Sequence, residues 1–409
     1  MEQIYRHPFR WVVLMLIFFA TTLNYLDRIV LSVLIPEIKT ALKITDIHFG
    51  YILTAFQVTY TLGFLGAGKM VDRLGTKLGY LLAIIFWSIA AGMHALCGSA
   101  WCLATWRGVL GLAESGNFPA AIKAVSEWFS IKGRAFATAL FNSGASISNI
   151  IGPPVIAAIT LSFGWRWAFL VFGLTGIAFA FIWQVAYKTP ADKPMALETK
   201  STVASRWSDL LRYRSTWGIM LGKFLTDPVW WFYLFWMPNY LSSQRGFDLK
   251  EIAFAIPMIY ILATLMGFVG GWCPGYLMRR GWMVAKARKT TMFICAACLP
   301  FTALAVFASS PWMAILLVSL ACGAHNGWSA NIFTMTSDCF TSQSVGSVTG
   351  LAGFAGGLGG ILFATLAPGY IITYFGYIPI FILMGVLHPI AFCVIAKFVL
   401  IKKQEVNNG

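Results

Sequence analysis

Charge is what this 409-residue chain has least of: 11% of its residues are Asp, Glu, Lys or Arg, and only 15 are acidic. Soluble domains carry roughly 25% charged residues, so an ordinary water-facing surface is ruled out by composition. With 58% hydrophobic residues and a mean hydropathy of +0.74, the chain has more apolar surface than one soluble core could hide. Histidine is also scarce, with five residues, and cysteine numbers eight. No His or Cys spacing suits zinc, and no Ser, His and Asp set suggests a catalytic triad, so we expect no metal site, no catalytic residue and no cofactor. Most of the cysteines fall inside or at the ends of apolar runs, Cys295 and Cys298 among them, and read as small packing residues. No Asn-x-Ser or Asn-x-Thr sequon occurs.

What the chain does have is length of apolar run. Stretches of about twenty apolar residues recur throughout, the length that crosses a hydrocarbon layer of about 30 Å at 1.5 Å per residue. We read spans near 11–36, 47–69, 78–98, 100–122, 136–160, 166–187, 216–241, 252–277, 290–309, 312–336, 345–373 and 377–399. This is an all-α integral membrane protein of about twelve helices with the lipid bilayer as its solvent. Arg6 and Arg10 precede the first span in the manner of a signal peptide, but eleven spans follow and no small-residue cleavage site stands out, so the first span reads as a retained helix.

The net charge of +15 would suggest nucleic acid in a soluble protein. Placement argues otherwise. With both termini cytoplasmic, 22 of the 30 Lys and Arg fall on cytoplasmic segments, 5 on outer loops (Lys39, Lys43, Arg166, Arg245 and Lys250) and 3 within spans. The basic residues therefore read as topological anchors, and no nucleic-acid partner is expected.

The longest polar stretch, from Lys188 to Thr216, falls midway between two sets of six spans. It divides the chain into an N-terminal bundle at 1–187, a cytoplasmic linker at 188–215, in which RWSDLLRYR is expected to form a short surface helix, and a C-terminal bundle at 216–409. An internal repeat supports the division: Gly144, Gly164, Phe169 and Gly173 reappear 212 residues later as Gly356, Gly376, Phe381 and Gly385. GKMVDRLGTK, after span two, is echoed by GYLMRRGWMVAK, after span eight. Two pseudo-symmetric six-helix halves suit a transporter in which substrate binds near the midplane and the halves take turns closing.

These segments carry a resemblance. GKMVDRLGTK is similar to the signature between spans two and three of the major facilitator superfamily, with Asp72 to cap or pair and Arg73 and Lys77 as its partners. NSGASISNIIGPP, at Asn142 to Pro154, resembles the small-residue pattern of that superfamily's span five. NYLDR in span one, WRGVLGLAESGNFPAAIKAVSEWF around span four, GWRWAFLVFG at span six and DPVWWFYLFWMPNYL in span seven together resemble the anion:cation symporter family, particularly its hexuronate branch. The resemblance implies proton-driven uptake of a sugar acid, glucuronate or galacturonate, by a non-enzymatic symporter; the missing sequons and the short first outer loop suit the bacterial inner membrane, and a monomer is expected. Span eleven reads GLAGFAGGLGGI, without the asparagine of the aldonate branch, which favours hexuronate. Another organic anion, such as an aldonate, sialic acid or a dicarboxylate, is the alternative, and a non-transporting membrane sensor a more distant one.

An ionisable side chain at a bilayer centre costs at least about 2.5–3.5 kcal/mol, so those that remain are functional candidates. They are Asp27 and Arg28 in span one, Arg107 and Glu114 in span four, and Lys223 and Asp227 in span seven, with Asp338 at the edge of span ten. Successive helical positions point about 100° apart, which leaves Arg28 to grip a substrate carboxylate and Asp27 to carry a proton; a buried pair that merely holds span one is the alternative. Arg107 and Glu114 lie on one helix face about 10 Å apart. Arg107 is therefore expected to pair with an acid on another helix and to serve the substrate, while Glu114, among Gly111, Gly116 and Pro119, has room to take a proton. The resemblance implies that Asp27 and Glu114 couple transport to protons.

Lys223 and Asp227, at i and i+4, form either a self-neutralising pair or a second substrate anchor. Beside them, Asp227 and Pro228 are expected to break the helix. The run Trp230, Trp231, Phe232, Tyr233 and Trp236 offers a stacking platform, Trp231 preferred, or packing and lipid contact. Tyr25 and Tyr60 resemble cavity-lining positions or tie helices together. His325, Asn326, Trp328 and Asn331 cluster in span ten, where Asn326 and Trp328 are candidates for neutral hydrogen bonds to sugar hydroxyls. The glycines at 350, 353, 356, 357, 359 and 360 lack the Lys-Ser or Lys-Thr end of a nucleotide loop and read as close-packing contacts. Of the five histidines, only His325 is placed near a span centre.

Overall fold

The computed structural model of the protein describes residues 8–129, 131–189, 207–340 and 342–399. Among them every regular element is a helix, as expected where no water competes for backbone hydrogen bonds. Among the described residues nine helices are long and apolar enough to cross a membrane, and the helices follow the order of the expected spans. The first is α1 (Phe9–Leu42). The second and third share α2 (Asp46–Met93), broken at Gly75, whose φ of 79° and ψ of 162° lie outside the helical region. The fourth is split into α3 (Ala100–Glu114) and α4 (Asn117–Trp128) by a turn at Ser115 and Gly116. The fifth and sixth are α5 (Ile131–Phe163) and α6 (Trp165–Ala186).

After the four-residue α7 (Trp207–Leu210) come α8 (Arg214–Arg245) and α9 (Leu249–Arg279). The ninth pass is α10 (Val284–Cys298), continued by a 3₁₀ segment at Leu299–Val306. α11 (Pro311–Cys339) is the tenth, and the eleventh runs from α12 (Ser342–Gly359) through a π-helical stretch, Gly360–Leu366, into α13 (Ala367–Phe375). The last is α14 (Tyr377–Phe398). α7 supplies the helix expected of RWSDLLRYR; Arg6 and residues 190–206 of the expected linker lie outside the described residues.

The chain divides into two compact units, Met1–Ser201 with Phe235–Pro257, and Thr202–Leu234 with Met258–Gly409. In the first, small residues let helices meet at backbone distance. A Cβ on Gly144 would lie 3.0 Å from the carbonyl oxygen of Phe18, and one on Gly173 would lie 2.7 Å from the Cα of Gly92. Beside the first of these contacts, Ser148 Oγ donates to the carbonyl of Thr22 at 2.7 Å, tying α5 to α1. Trp183 packs on Tyr80 with ring centroids 4.8 Å apart, and its indole N–H donates to the carbonyl of Lys77 at 3.0 Å. Asp72 pairs with Lys123 of α4 at 3.0 Å, rather than with the expected Arg73 or Lys77. A partner on the facing helix can tie two elements, whereas its sequence neighbours cannot. At the other end, Asp46 accepts from Lys39 and from Asn239, both at 2.8 Å, and Phe49 meets Trp236 at 4.8 Å; these contacts hold the last turns of α8 within this unit.

In the second unit α8 does not break at Pro228. A proline withdraws the hydrogen bond to the carbonyl four residues back, here that of Phe224. That carbonyl lies against Gly359, where any Cβ would collide with it, and a Cβ on Gly356 would collide with the Asp227 carboxylate. The glycines of α12 therefore divide by face. Gly356 and Gly359 are buried close-packing contacts as expected, whereas Gly350 and Gly353 are exposed and meet nothing within 4 Å.

The repeat is visible in the backbone. Gly164 and Gly376, 212 residues apart, start the last helix of each half with φ of 91° and 73°, a region that side-chain-bearing residues rarely adopt. Thr76 donates to Glu127 at 2.7 Å, and at the related place Arg288 meets Asp338 at 2.5 Å. The cysteine expectation needs one correction. Cys97 and Cys102, in the connection from the third pass to the fourth, form a disulfide and are not packing residues. A connection of this length lets two thiols meet with no signature in hydropathy.

Forcing a methyl into a filled backbone contact costs about 1–3 kcal/mol. Gly359→Ala should therefore lower the melting temperature of the detergent-purified protein by several degrees, while Gly350→Ala leaves it within about a degree. Equal shifts in thermal denaturation would contradict this packing.

Candidate functional site

The first unit contains a buried group of four charges. α1 brings Asp27 and Arg28, 3% and 0% exposed, and α3 brings Arg107 and Glu114, 0% and 1% exposed. Arg28 donates from Nε at 3.0 Å and from Nη2 at 2.8 Å to the same oxygen of Glu114, Oε2. The other oxygen, Oε1, has no protein partner, and neither does Oδ2 of Asp27. Glu114 is the final residue of α3, immediately before the Ser115–Gly116 turn, so the acid sits where the fourth pass is interrupted.

Arg28 is held by more than this pair. Its guanidinium carbon lies 4.6 Å from the ring centroids of both Tyr25 and Tyr60 and 5.0 Å from that of Phe56. Aromatic faces attract a cation most where water is excluded, so the cage keeps the guanidinium charged and in place. Both tyrosines thus pack against the charge cluster. Arg107 differs from expectation. It pairs with no acid among its hydrogen bonds; Nη1 donates to the carbonyl of Asp27 at 3.2 Å and Nη2 to that of Arg28. Two turns along α3 from Glu114, it pins the backbone of α1 and adds a second positive charge.

Two further polar groups of this unit are buried without protein partners, Asn24 Nδ2 and Gln57 Oε1. Buried amides of this kind ordinarily bond to something; Asn24 stands one turn before Arg28 on α1, and Gln57 follows Phe56 on α2. A groove of about 610 Å³ on this unit is a different feature, since its walls include the exposed Leu62, Phe86, Val109 and Leu112 and no charged side chain. An anion site needs a cation, and the groove has none.

The second unit has its own central group. Lys223 Nζ lies 3.0 and 2.9 Å from the two oxygens of Asp227 and 4.2 Å from the ring centroid of Phe333, so the pair is self-neutralising as drawn. The aromatic run of α8 fans out. Phe232 and Tyr233 pack on Phe381, Trp236 is fully buried, and Trp231 is half-buried. Trp230, not the preferred Trp231, is the one whose ring stacks on His325, at 5.8 Å and 22°.

The span-ten cluster separates in the same way. Asn326 donates to the carbonyl of Ala263 at 3.3 Å, and Asn331 to those of Gly270 and Gly327, all backbone contacts toward α9 or along α11. Trp328 faces the other way, with its ring edge-on to His388 at 5.3 Å. His388 is the residue that sequence reading missed. It lies near the middle of α14, is 0% exposed, and stands 3.2 Å from His325, Nε2 to Nδ1. Its place midway along an apolar run was the available signal. Among the described residues no three His, Cys, Asp or Glu side chains gather as metal ligands would.

With this geometry in view, the relatives are informative. The sequence profile of the Major Facilitator Superfamily matches residues 17–364. The hexuronate transporter of Escherichia coli (strain K12) is 32% identical over 393 residues, covering 92% of this chain and 91% of its own. A galacturonate transporter of Dickeya chrysanthemi is 35% identical over 280 residues, 65% of this chain and 81% of its own. The D-galactonate transporter of Escherichia coli O6:H1 is 28% identical over 393 residues, 90% and 91% respectively. Among solved structures, a bacterial homologue of the human lysosomal transporter Spinster superposes with a TM-score of 0.78 at 18% identity, over 98% of this chain and 99% of its own, a likeness of fold. Nine helices long and apolar enough to cross a membrane among the described residues, the repeat between halves and the profile match lead to one conclusion: the chain belongs to the Major Facilitator Superfamily and is a multi-pass membrane transporter, not an enzyme.

Proposed function

We propose that the protein is a proton-coupled symporter that imports a sugar-acid anion, a hexuronate such as glucuronate or galacturonate, by alternating access of its two halves, 1–187 and 216–409. The observation that carries the reading is the Arg28–Glu114 pair. A guanidinium buried this deeply needs an anion beside it, since breaking a buried pair by removing one partner costs about 3–5 kcal/mol. A proton on Glu114 removes that anion. The substrate carboxylate replaces it, taking the two donors that Glu114 held, and the charge on Arg28 is matched throughout.

The same conclusion follows from counting charge in the cluster. Asp27 and Glu114 balance Arg28 and Arg107. A monoanion added to this neutral set leaves one uncompensated negative charge in a low-dielectric site unless one acid is protonated. Glu114 is the acid in contact with Arg28; Asp27, with a bare Oδ2, is the second proton carrier. Tyr25 and Tyr60 hold Arg28 in line, and Arg107 fixes the backbone that bears it. In the second half Lys223, Asn326 and Trp328, with Trp230 in the role first given to Trp231, contribute the groups that receive the sugar hydroxyls and ring. One proton per monoanion moves no net charge, whereas two would add about 2.3 kcal/mol per 100 mV of membrane potential. Kinship with hexuronate and galacturonate transporters supports the substrate class.

The membrane is the bacterial inner membrane, with both termini cytoplasmic and the protein acting as a monomer. The distribution of Lys and Arg supports this orientation. So does the Cys97–Cys102 disulfide, since such bonds persist on the oxidising side of a membrane.

Three results test the reading. Purified protein in liposomes should accumulate radiolabelled glucuronate only under an inward proton gradient; no uptake with or without the gradient would reject the hexuronate assignment. Glu114→Gln, which keeps a hydrogen-bond acceptor for Arg28, should abolish gradient-driven accumulation while leaving counterflow exchange within about threefold of wild type. Loss of both activities with normal substrate binding would remove Glu114 from a pure coupling role. After mild reduction, a membrane-impermeant maleimide should label Cys97 and Cys102 in intact spheroplasts, and protection until lysis would reverse the orientation.

A further inference from the structure

Three rings from three helices meet at the middle of the second unit. His325 of α11 and His388 of α14 are 5% and 0% exposed, with Nδ1 of the first 3.2 Å from Nε2 of the second. Two imidazoles joined in this way settle each other's tautomers, because one nitrogen must donate and the other accept. The bond also fixes the plane of His325, on which the indole of Trp230 rests at 5.8 Å and 22°. Tyr260 braces the same indole from the side, edge-on at 5.5 Å and 72°. Trp328 does the same for His388, at 5.3 Å and 71°. Trp230 itself remains half-buried.

The shared architecture of the two halves does not require this arrangement. At the positions 212 residues earlier, the first half carries Ala113 in place of His325 and Gly176 in place of His388. A Cβ at Gly176 would collide with the Ser88 side chain, so that half closes the same space with a small hydroxyl side chain against a bare glycine. Two buried imidazoles among apolar neighbours are expensive compared with that solution. Their distinctive product is a flat aromatic face held in one orientation, two turns along α8 from Lys223 and one turn from Asp227.

We propose that Trp230 is the platform for the sugar ring, and that His325 and His388 are positioning residues that make the transporter selective for ring-form sugar acids over open-chain ones. A pyranose ring has a flat C–H face that matches an indole, whereas an aldonate or aldarate chain has a carboxylate and hydroxyls but no such face. Carboxylate recognition alone would accept both shapes, so the platform is what separates them. This inference rests on the sugar-acid reading given above.

The test is uptake into proteoliposomes of labelled glucuronate and, separately, labelled galactonate, by wild type, Trp230→Leu, His388→Phe and His388→Gln. Trp230→Leu should raise the KM for glucuronate about tenfold with little change in maximal rate, and leave galactonate within about twofold. His388→Phe, which keeps a ring but loses the bond to His325, should raise the KM for glucuronate about threefold to fivefold. His388→Gln, which restores a polar partner, should return it toward wild type. If Trp230→Leu changes both substrates equally, or neither, the platform is overturned while the sugar-acid reading stands. If His388→Gln is as impaired as His388→Phe, the positioning role of the imidazole pair is overturned. A wild-type protein that transports neither compound overturns both readings together.

Discussion

A buried guanidinium is costly unless acceptors meet its donors, whether an anion or backbone carbonyls, and much of the first unit is arranged around that constraint. Arg28 is fully buried, bonded twice to one oxygen of Glu114, and enclosed by Tyr25, Phe56 and Tyr60. The pair joins α1 to α3, and Arg107 returns from α3 to the carbonyls beside it on α1. Small residues bring the helices close enough for these bonds to form. Thr59 donates to the carbonyl of Gly108 at 2.7 Å, and Gly111 allows α3 to touch the backbone of Phe56. A charge pair that is costly to desolvate is thus held by packing that would be unnecessary without it.

The second unit is built on a different economy. Its midspan ion pair among the described residues, Lys223 with Asp227, lies on a single helix and neutralises itself, and its cross-helix centre is made of stacked and edge-on rings: Trp230, His325, Trp328 and His388. Glycine serves both units, but for different neighbours. In the first it admits backbone to backbone, and in the second Gly356 and Gly359 admit the Asp227 carboxylate and the Phe224 carbonyl that Pro228 leaves without its helical donor. That accommodation is why α8 passes through a proline intact, and it is followed on the partner strand of chain by the π-helical stretch at Gly360–Leu366.

Much of this was legible in the amino-acid sequence, for a physical reason. Hydropathy reports the solvent, so the helical membrane fold and the identities of the buried charges could be read directly, and Gly164 and Gly376 could be matched because only glycine readily adopts their backbone conformation. Pairings across helices could not be read. Arg28 and Glu114 are 86 positions apart, and no local pattern distinguishes an arginine bonded to an acid from one, like Arg107, bonded to carbonyls. Hydropathy also hides exceptions within an apolar run. From sequence His325 stands out over His388, Cys97 and Cys102 read as packing and Pro228 as a break, because in each case the deciding contact lies on another helix or across a turn.

The proposed cycle turns on an exchange of anions at Arg28, with a proton taking the charge from Glu114 as the substrate carboxylate arrives. The most direct measurement is the proton balance of binding, obtained by titrating glucuronate into the purified protein by calorimetry in buffers of different ionisation enthalpy. The account predicts uptake of close to one proton per substrate near neutral pH, abolished in Glu114→Gln while binding persists. Binding with no proton uptake in the wild type, or the same uptake in Glu114→Gln, would contradict it.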